Sequence, residues 1–212
     1  ITNIGPLCFA NGTITNLIVP DISSSTIISP DAFTFSNIIN YTSYSNFFYD
    51  ISSNYFNTGS LKSITLGGSI TRVKNNSYQN ATGLTSITLG NSITSIGQYS
   101  FSGCSSLPSV SISNFVTLLD IYAFQNCTSV TSVSIGSGLL SLGNYVFSGC
   151  SKLQSITVPS TVTSIGNNTF ASCSQLANIT LNNGLLSIGD SAFSSDPSLN
   201  TIIIPDSVTS MG

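Results

Sequence analysis

The sequence lacks histidine, glutamate and tryptophan, and only 5% of its residues are charged. Without histidine, neither a Ser-His-Asp nor a Cys-His catalytic arrangement can be built. The seven aspartates are scattered along the chain, so no pair of catalytic carboxylates is predicted. These absences argue against an enzyme, and the sequence predicts no catalytic residue, no metal site and no cofactor.

Positive charge is almost absent, since the only basic residues are Lys62, Arg72, Lys74 and Lys152. Four scattered cations cannot follow a phosphate backbone or form a polybasic membrane patch, which excludes nucleic acid as a partner. No apolar run approaches the roughly 18–20 residues of a membrane-spanning helix. The chain begins at Ile1 without a signal-peptide pattern, so we expect any targeting segment to lie outside this sequence.

A 23-residue repeat dominates the sequence from residue 61 onward. Six gapless blocks begin at Leu61, Leu84, Leu107, Val130, Leu153 and Leu176, and a seventh, partial block runs from Leu199 to Gly212. Below, a residue's place is its position within its block. Such a period is the signature of a solenoid, in which each turn buries its apolar side chains against its neighbours.

Apolar residues, mostly β-branched, fill places four and six of every block. They are Ile64/Leu66, Ile87/Leu89, Val110/Ile112, Val133/Ile135, Ile156/Val158, Ile179/Leu181 and Ile202/Ile204. An alternation with a period of two predicts a strand with one buried face, so places three and five should be exposed.

Three further columns recur at fixed places. Places ten and thirteen are apolar, as in Val162 and Ile165, and glycine usually follows place thirteen. Place 18 is aromatic: Tyr78, Phe101, Phe124, Phe147, Phe170 and Phe193. Place 21 holds Cys104, Cys127, Cys150 and Cys173. We interpret the aromatic and cysteine columns as core.

Residues 1–60 carry the same pattern in degenerate form. Ile14, Leu17 and Val19 match a strand, and Phe33 and Phe56 match the aromatic column. The sequence therefore predicts a single domain over residues 1–212, a mainly β solenoid of about nine turns of 22–25 residues, with 1–60 degenerate and 61–212 regular.

The order Ile-Thr-Val-Pro (156–159), Val-Thr-Ser-Ile-Gly (162–166) and Phe-x-x-Cys (170–173) resembles the BspA-type, or Treponema-type, leucine-rich repeat. The resemblance is close over 61–212 and loose over 1–60. It implies a right-handed solenoid with a β-sheet along one face and short strands or 3₁₀ turns on the other. It also implies an extracellular or cell-surface protein involved in adhesion, and a family without catalytic residues.

The cysteine column favours buried free thiols over a metal site or disulfides. Zinc ligands must converge on one point, and CxxC-type spacing is absent. Stacked cysteines point the same way about 4.8 Å apart, which leaves their Cβ atoms slightly too far apart for a disulfide. Cys8 lies off the column, and the sequence assigns it no role.

Seven Asn-x-Ser/Thr motifs are candidate N-glycosylation sites: Asn11, Asn40, Asn75, Asn80, Asn126, Asn167 and Asn178. With 21 asparagines and 65 serines and threonines in 212 residues, six or seven such motifs are expected by chance. Position is more informative, because Asn75, Asn80, Asn126 and Asn167 fall in predicted loops beside the aromatic column, whereas Asn178 is predicted on the strand face. We expect a glycoprotein.

Places three and five form a candidate binding face, here called the hydroxyl ladder. Its residues are Ser63, Thr65, Ser86, Thr88, Ser109, Ser111, Ser132, Ser134, Ser155, Thr157 and Thr180. Composition alone explains it as the solvated side of a sheet in a Ser/Thr-rich protein. The functional alternatives are a structural or adhesive surface, a site for a glycan or a host protein, and an ice-binding lattice.

The two ends of the sequence suggest self-association. The chain begins at place ten and stops at place fourteen, and no polar capping turn is visible at either end. Either the chain is part of a longer protein, or copies stack head to tail into a fibre.

Overall fold

The computed structural model describes residues 3–19, 27–28, 32, 36–44 and 58–212. Phe33 and Phe56, expected in the aromatic column, lie outside these residues. The described chain is mainly β, with a 3₁₀ turn at Thr58–Ser60. No helix within it is long and apolar enough to cross a membrane.

Longer strands form two four-stranded parallel sheets on one side of the solenoid. The first contains β2 (Thr13–Val19), β4 (Asn37–Ser43), β5 (Ser63–Leu66) and β7 (Ser86–Leu89); the second contains β9 (Ser109–Ile112), β11 (Ser132–Ile135), β13 (Ser155–Val158) and β15 (Asn178–Leu181). Within each sheet, residues one repeat apart pair, as Ile64 does with Ile87 and Ile156 with Ile179. The 23-residue register therefore sets the strand pairing.

Two-residue strands line the other side. The strands β6 (Arg72–Val73), β8 (Ser95–Ile96), β10 (Leu118–Leu119), β12 (Ser141–Leu142), β14 (Ser164–Ile165), β16 (Ser187–Ile188) and β17 (Ser210–Met211) form one seven-stranded parallel ladder. A separate pair joins β1 (Asn3–Ile4) to β3 (Ile27–Ile28). The solenoid thus shows about seven regular turns, slightly fewer than the nine predicted, because the degenerate segment contributes no strand to this ladder within the described residues.

The longer strands divide into two sheets at Pro108. Elsewhere in the two sheets the backbone N–H at place two donates to the carbonyl at place two of the preceding turn, as Thr85 does to Lys62 at 2.9 Å and Thr131 to Pro108 at 2.9 Å. Pro108 has no N–H and cannot donate to Thr85. Within the described chain, β7 and β9 are accordingly not paired in a sheet.

Side-chain burial follows the predicted alternation. Ile156 and Val158 are 3% and 1% exposed, whereas Ser155 and Thr157, which alternate with them along the strand, are exposed. The seventh block is the exception: residues 201–204 form no strand, and Ile204, predicted to be buried at place six, is 36% exposed. The strand predicted there was wrong. In this block only β17 (Ser210–Met211) pairs with the preceding turn, through β16.

The aromatic column fills the core beside the turns. Neighbouring rings from Tyr78 to Phe193 stack nearly parallel, with centroids 5.2–5.8 Å apart. Phe101, Phe124, Phe147 and Phe170 are at most 1% exposed. Each turn therefore packs a buried aromatic ring against the ring at the same place in the next turn, which explains why the aromatic place recurs.

Candidate binding surface

The structure places the hydroxyl ladder on the outward side of the two sheets. Ser63 and Thr65 are half-buried, and the other nine residues are exposed. The pairing of β9 with β11 sets Ser109 beside Ser132 and Ser111 beside Ser134. The two columns are therefore continuous within each sheet, and the break at Pro108 separates the columns of the first sheet from those of the second.

Some ladder side chains bond along the column. The hydroxyl of Ser134 donates to the hydroxyl of Ser111 at 3.2 Å. The hydroxyl of Ser63 donates to Oδ1 of Asn40 at 2.7 Å, and Nδ2 of Asn40 donates to Oδ1 of Asn16 at 2.9 Å. The column thus extends into the degenerate turns through two asparagines. Asn16 was not among the predicted residues; aligning it with Asn40 and Ser63 in the strand register would have revealed it.

A shallow depression of about 480 Å³ lies at the edge of the second sheet. Its lining is almost entirely polar and uncharged: Gln154, Ser155, Gln175, Ala177, Asn178 and Ser198. Amide groups both donate and accept hydrogen bonds, as hydroxyl groups do. The depression can therefore satisfy a ligand rich in hydroxyl or amide groups without placing a charge against it.

The candidate glycosylation residues lie where the repeat predicted them, but several also hold the turns together. Asn75, Asn80, Asn126 and Asn167 lie in turns beside the aromatic column, and Asn178 begins β15. Oδ1 of Asn75 accepts from the backbone N–H of Gln98, and Oδ1 of Asn167 accepts from that of Asp190, both at 3.0 Å. Asparagine recurs here partly because its amide joins successive turns.

Three more of these asparagines adopt a left-handed backbone conformation. The φ values are 58° for Asn11, 58° for Asn80 and 57° for Asn126. Asparagine tolerates this left-handed region better than most residues do. The same place holds Gly103, Gly149, Ser172 and Ser195 in other blocks, all with positive φ. Asparagine at this place therefore has a backbone reason that is independent of any glycan.

The cysteine column consists of buried free thiols, as predicted. The Sγ atoms of Cys104, Cys127, Cys150 and Cys173 each donate to the carbonyl at place 18 of the preceding turn, at 3.2–3.4 Å. Burial raises the pKa of all four thiols well above the usual range. Cys8 is exposed. Within the described segments, no three His, Cys, Asp or Glu side chains are grouped to hold a metal.

A second aromatic column, missed in the sequence, lies near the surface at place 16. The half-buried rings of Tyr99, Tyr122 and Tyr145 stack with centroids 4.5 and 4.7 Å apart. All three residues have φ between 54° and 60°, which is unusual for a bulky side chain. Their 23-residue spacing was visible, but nothing in the sequence indicated a left-handed backbone there.

Family comparison identifies the repeat. The model of the BspA type leucine-rich repeat region matches in six copies, over residues 2–127 and 94–212. Among proteins of curated function, none matches the chain.

Solved structures show the same fold. A leucine-rich repeat protein from Bacteroides ovatus is 25% identical to this chain, and the match has a TM-score of 0.59 and covers 92% of this chain and 53% of the other. For a leucine-rich repeat protein from Eubacterium ventriosum, the identity is 19%, the TM-score is 0.63, and the match covers 93% of this chain and 57% of the other. For one from T. pallidum, the identity is 20%, the TM-score is 0.54, and the match covers 68% of this chain and 78% of the other. The chain spans just over half the length of the first two. With the repeat model matching nearly every residue, the chain belongs to the BspA-type leucine-rich repeat family.

Proposed function

We propose that this chain is a non-catalytic module of an extracellular or cell-surface protein, and that it serves adhesion by binding a partner along the hydroxyl ladder. The observation that carries the proposal is the exposure of nine of the eleven ladder residues on a paired strand surface. A rigid sheet presents hydroxyl groups at the strand spacing of about 4.8 Å, so a partner meets them pre-organised.

The surface chemistry favours a neutral, hydroxyl- or amide-rich partner, either a glycan or a protein surface. The depression beside Ser155 and Asn178 contains no charged side chain in its lining. Recognition there would rest on hydrogen bonds between neutral groups, each contributing about 0.5–1.5 kcal/mol net. Adhesion of this kind gains strength from many weak contacts in parallel.

Binding to arrayed neutral glycans and to extracellular-matrix proteins, measured on immobilised protein, tests the proposal. The double variant Ser155→Asp/Asn178→Asp places two negative charges on the outward face of the longer strands. The control Thr163→Asp places one exposed charge on the other side of the solenoid, beside the short strands. We expect the ladder variant to lose binding and Thr163→Asp to retain it. Equal binding by both variants would refute the ladder as the adhesive surface.

An ice-binding function is the weaker alternative. Ice recognition requires a flat, regular lattice, and the sheet division at Pro108 interrupts the ladder between β7 and β9. We expect no thermal hysteresis in a freezing assay. A measurable hysteresis that is lost on Thr157→Leu would favour ice binding over adhesion.

Glycosylation at the seven Asn-x-Ser/Thr motifs remains a prediction. Asn178 and Asn126 are exposed, so their side chains have room for a sugar. The intact mass of native protein should exceed 22.1 kDa and fall to it after enzymatic deglycosylation. An unchanged mass would remove the glycoprotein prediction and leave the fold untouched.

Head-to-tail self-association also remains a prediction. Met211 is 65% exposed, whereas Ile188 at the same place one turn earlier is 4% exposed, so a second copy stacked on this turn would bury an apolar side chain. Sedimentation and electron microscopy of the native protein test this: growing fibres support stacked copies, and single rods at micromolar concentration exclude them.

A further inference from the structure

The short-strand ladder has a consensus from which two turns depart at the same two places. Place 12 is serine in blocks two, four, five, six and seven (Ser95, Ser141, Ser164, Ser187 and Ser210), and place 14 is glycine in the same blocks (Gly97, Gly143, Gly166, Gly189 and Gly212). The first block has Arg72 and Lys74 instead, and the third has Leu118 and Asp120. Turns that hold large side chains therefore flank a turn that holds small ones.

This arrangement forms a depression of about 360 Å³. Arg72 pairs with Ser95, and Ser95 pairs with Leu118, so the three residues lie side by side on β6, β8 and β10. Adjacent strands lie about 4.8 Å apart, which places the two walls about 10 Å apart. The volume is near the lower end of the roughly 300–1,000 Å³ typical of small-ligand sites.

Gly97 and Asn75 form the floor. A Cβ atom at Gly97 would lie 2.5 Å from Oδ1 and 2.8 Å from the backbone nitrogen of Asn75, so a side chain cannot occupy this point. Oδ1 of Asn75 accepts from the N–H of Gln98 at 3.0 Å, which fixes the amide with its Nδ2 as the remaining donor. The floor is therefore rigid and contains an oriented hydrogen-bond donor.

The walls differ in charge. Arg72 and Lys74 are two of the four cations in a chain of net charge −3, and they line one wall. Asp120 lines the opposite wall, where its Oδ1 accepts from the N–H of Ile121 at 2.8 Å and is held in place. Beside it, Leu118 is 46% exposed and presents an apolar surface. A complementary ligand has an anionic group at one end and, at the other, hydroxyl donors beside an apolar face.

We propose that this depression binds a carboxylate-bearing sugar residue, such as a uronic or sialic acid at the end of or within a saccharide. The sugar carboxylate pairs with the Arg72 guanidinium and the Lys74 ammonium, since charged donors give the strongest hydrogen bonds to carboxylates. Ring hydroxyls donate to Asp120 and accept from Asn75 and Ser95. One C–H face of the ring packs on Leu118.

An acidic peptide fits these observations less well. Peptide partners are usually anchored by large apolar or aromatic side chains buried in well-packed pockets. Here one half-exposed leucine supplies the apolar wall, and the other side chains named are polar or charged. The depression lies on the short-strand ladder, so the inference does not depend on adhesion through the hydroxyl ladder. A glycan attached to Asn75 would occupy the same space and exclude the ligand.

Calorimetric or NMR titration of the intact chain tests the proposal with two probes, a glucuronate-containing hyaluronan tetrasaccharide and sialyllactose. Saturable binding of either supports it, and the stronger of the two indicates the source of the acid. The matched control is the tetrasaccharide with its carboxyl groups reduced to alcohols. We expect the control to bind about tenfold more weakly or not at all, and increasing salt to weaken the binding of the charged probes.

Variants locate the site. R72Q and K74Q should each weaken binding by about tenfold, whereas K152Q, which removes an exposed cation elsewhere, should leave it unchanged. The double variant R72S/K74G restores the consensus of the repeat, so it is expected to fold and to lose binding. Equal binding of the reduced control, an equal loss in K152Q, absence of saturable binding to both probes, or tighter binding of an acidic peptide would each overturn the proposal.

Discussion

The carboxyl group of Asp196 lies near enough to the thiol of Cys173, one repeat earlier, to interact with it electrostatically, and it occupies the place that cysteine holds in the four preceding turns. Asp196 is 9% exposed. Burial raises the pKa of Asp196 to about 7, and the nearby carboxylate helps to raise the pKa of the Cys173 thiol. An ionisable group thus stands at the end of a column that is otherwise neutral at physiological pH.

Stability should fall as the pH rises from about 4 to about 7. In this window the folded state keeps the proton on Asp196, whereas the unfolded chain, with a pKa near about 3.9, releases it, so folding binds a proton. Below about pH 4 the contribution is fully present, and above about pH 7 it is lost. Thermal unfolding followed by circular dichroism from pH 4 to pH 8 measures this slope.

D196N should flatten that slope, and the matched control D206N, which changes an exposed carboxyl group in the last turn, should not. If D196N and the unsubstituted chain showed the same slope, another group would have to be responsible.

The thiols should divide into one reactive group and four protected groups. Cys8 is exposed, whereas Cys104, Cys127, Cys150 and Cys173 are buried and hydrogen-bonded to backbone carbonyls. Because the thiolate is the reacting species, burial and a raised pKa both slow alkylation. Iodoacetamide followed by intact mass measurement should add one label to native protein and five in denaturant. Rapid addition of more than one label to the native chain would contradict the buried column.

Phe124→Ala should destabilise the solenoid by about 3–5 kcal/mol, since it removes a fully buried ring and leaves a cavity. Tyr122→Ala, two residues away in the half-buried column, is the control and should cost less. Combining Phe124→Ala with Phe147→Ala should reveal coupling of about 0.5–1.5 kcal/mol from the ring contact. Urea denaturation of the unsubstituted chain, Phe124→Ala, Phe147→Ala, the double variant and Tyr122→Ala gives these values. Equal losses for Phe124→Ala and Tyr122→Ala would show that the aromatic column is not the principal core.

Adjacent substitutions in β13 test the strand register. Ile156→Asp buries an unpaired charge and should prevent stable folding, whereas Thr157→Asp places the same charge in solvent and should change stability by less than about 0.5 kcal/mol. Circular dichroism and soluble yield compare the two. Similar behaviour of both variants would mean that the inward and outward faces are not distinct.

The register and the core could be predicted from the sequence because each turn repeats the same residue types at the same places. Ile156 and Val158 are buried, and Ser155 and Thr157 are exposed, since a strand alternates its side chains and only one face meets the core. The thiol column followed from the same argument. For the hydroxyl ladder the sequence predicted which residues would be exposed, while their role as a binding face stays a prediction.

The sequence by itself thus determined the period, the residues that face inward, and the places where large and small side chains recur. Only the tertiary structure decided how successive turns meet. The sheet divides at Pro108 because this residue has no N–H to donate to the backbone carbonyl of Thr85, and that pairing depends on inter-turn hydrogen-bond geometry. The depression between Arg72 and Leu118 likewise depends on stacking, because residues 46 positions apart in the sequence become its two walls only after three turns have aligned.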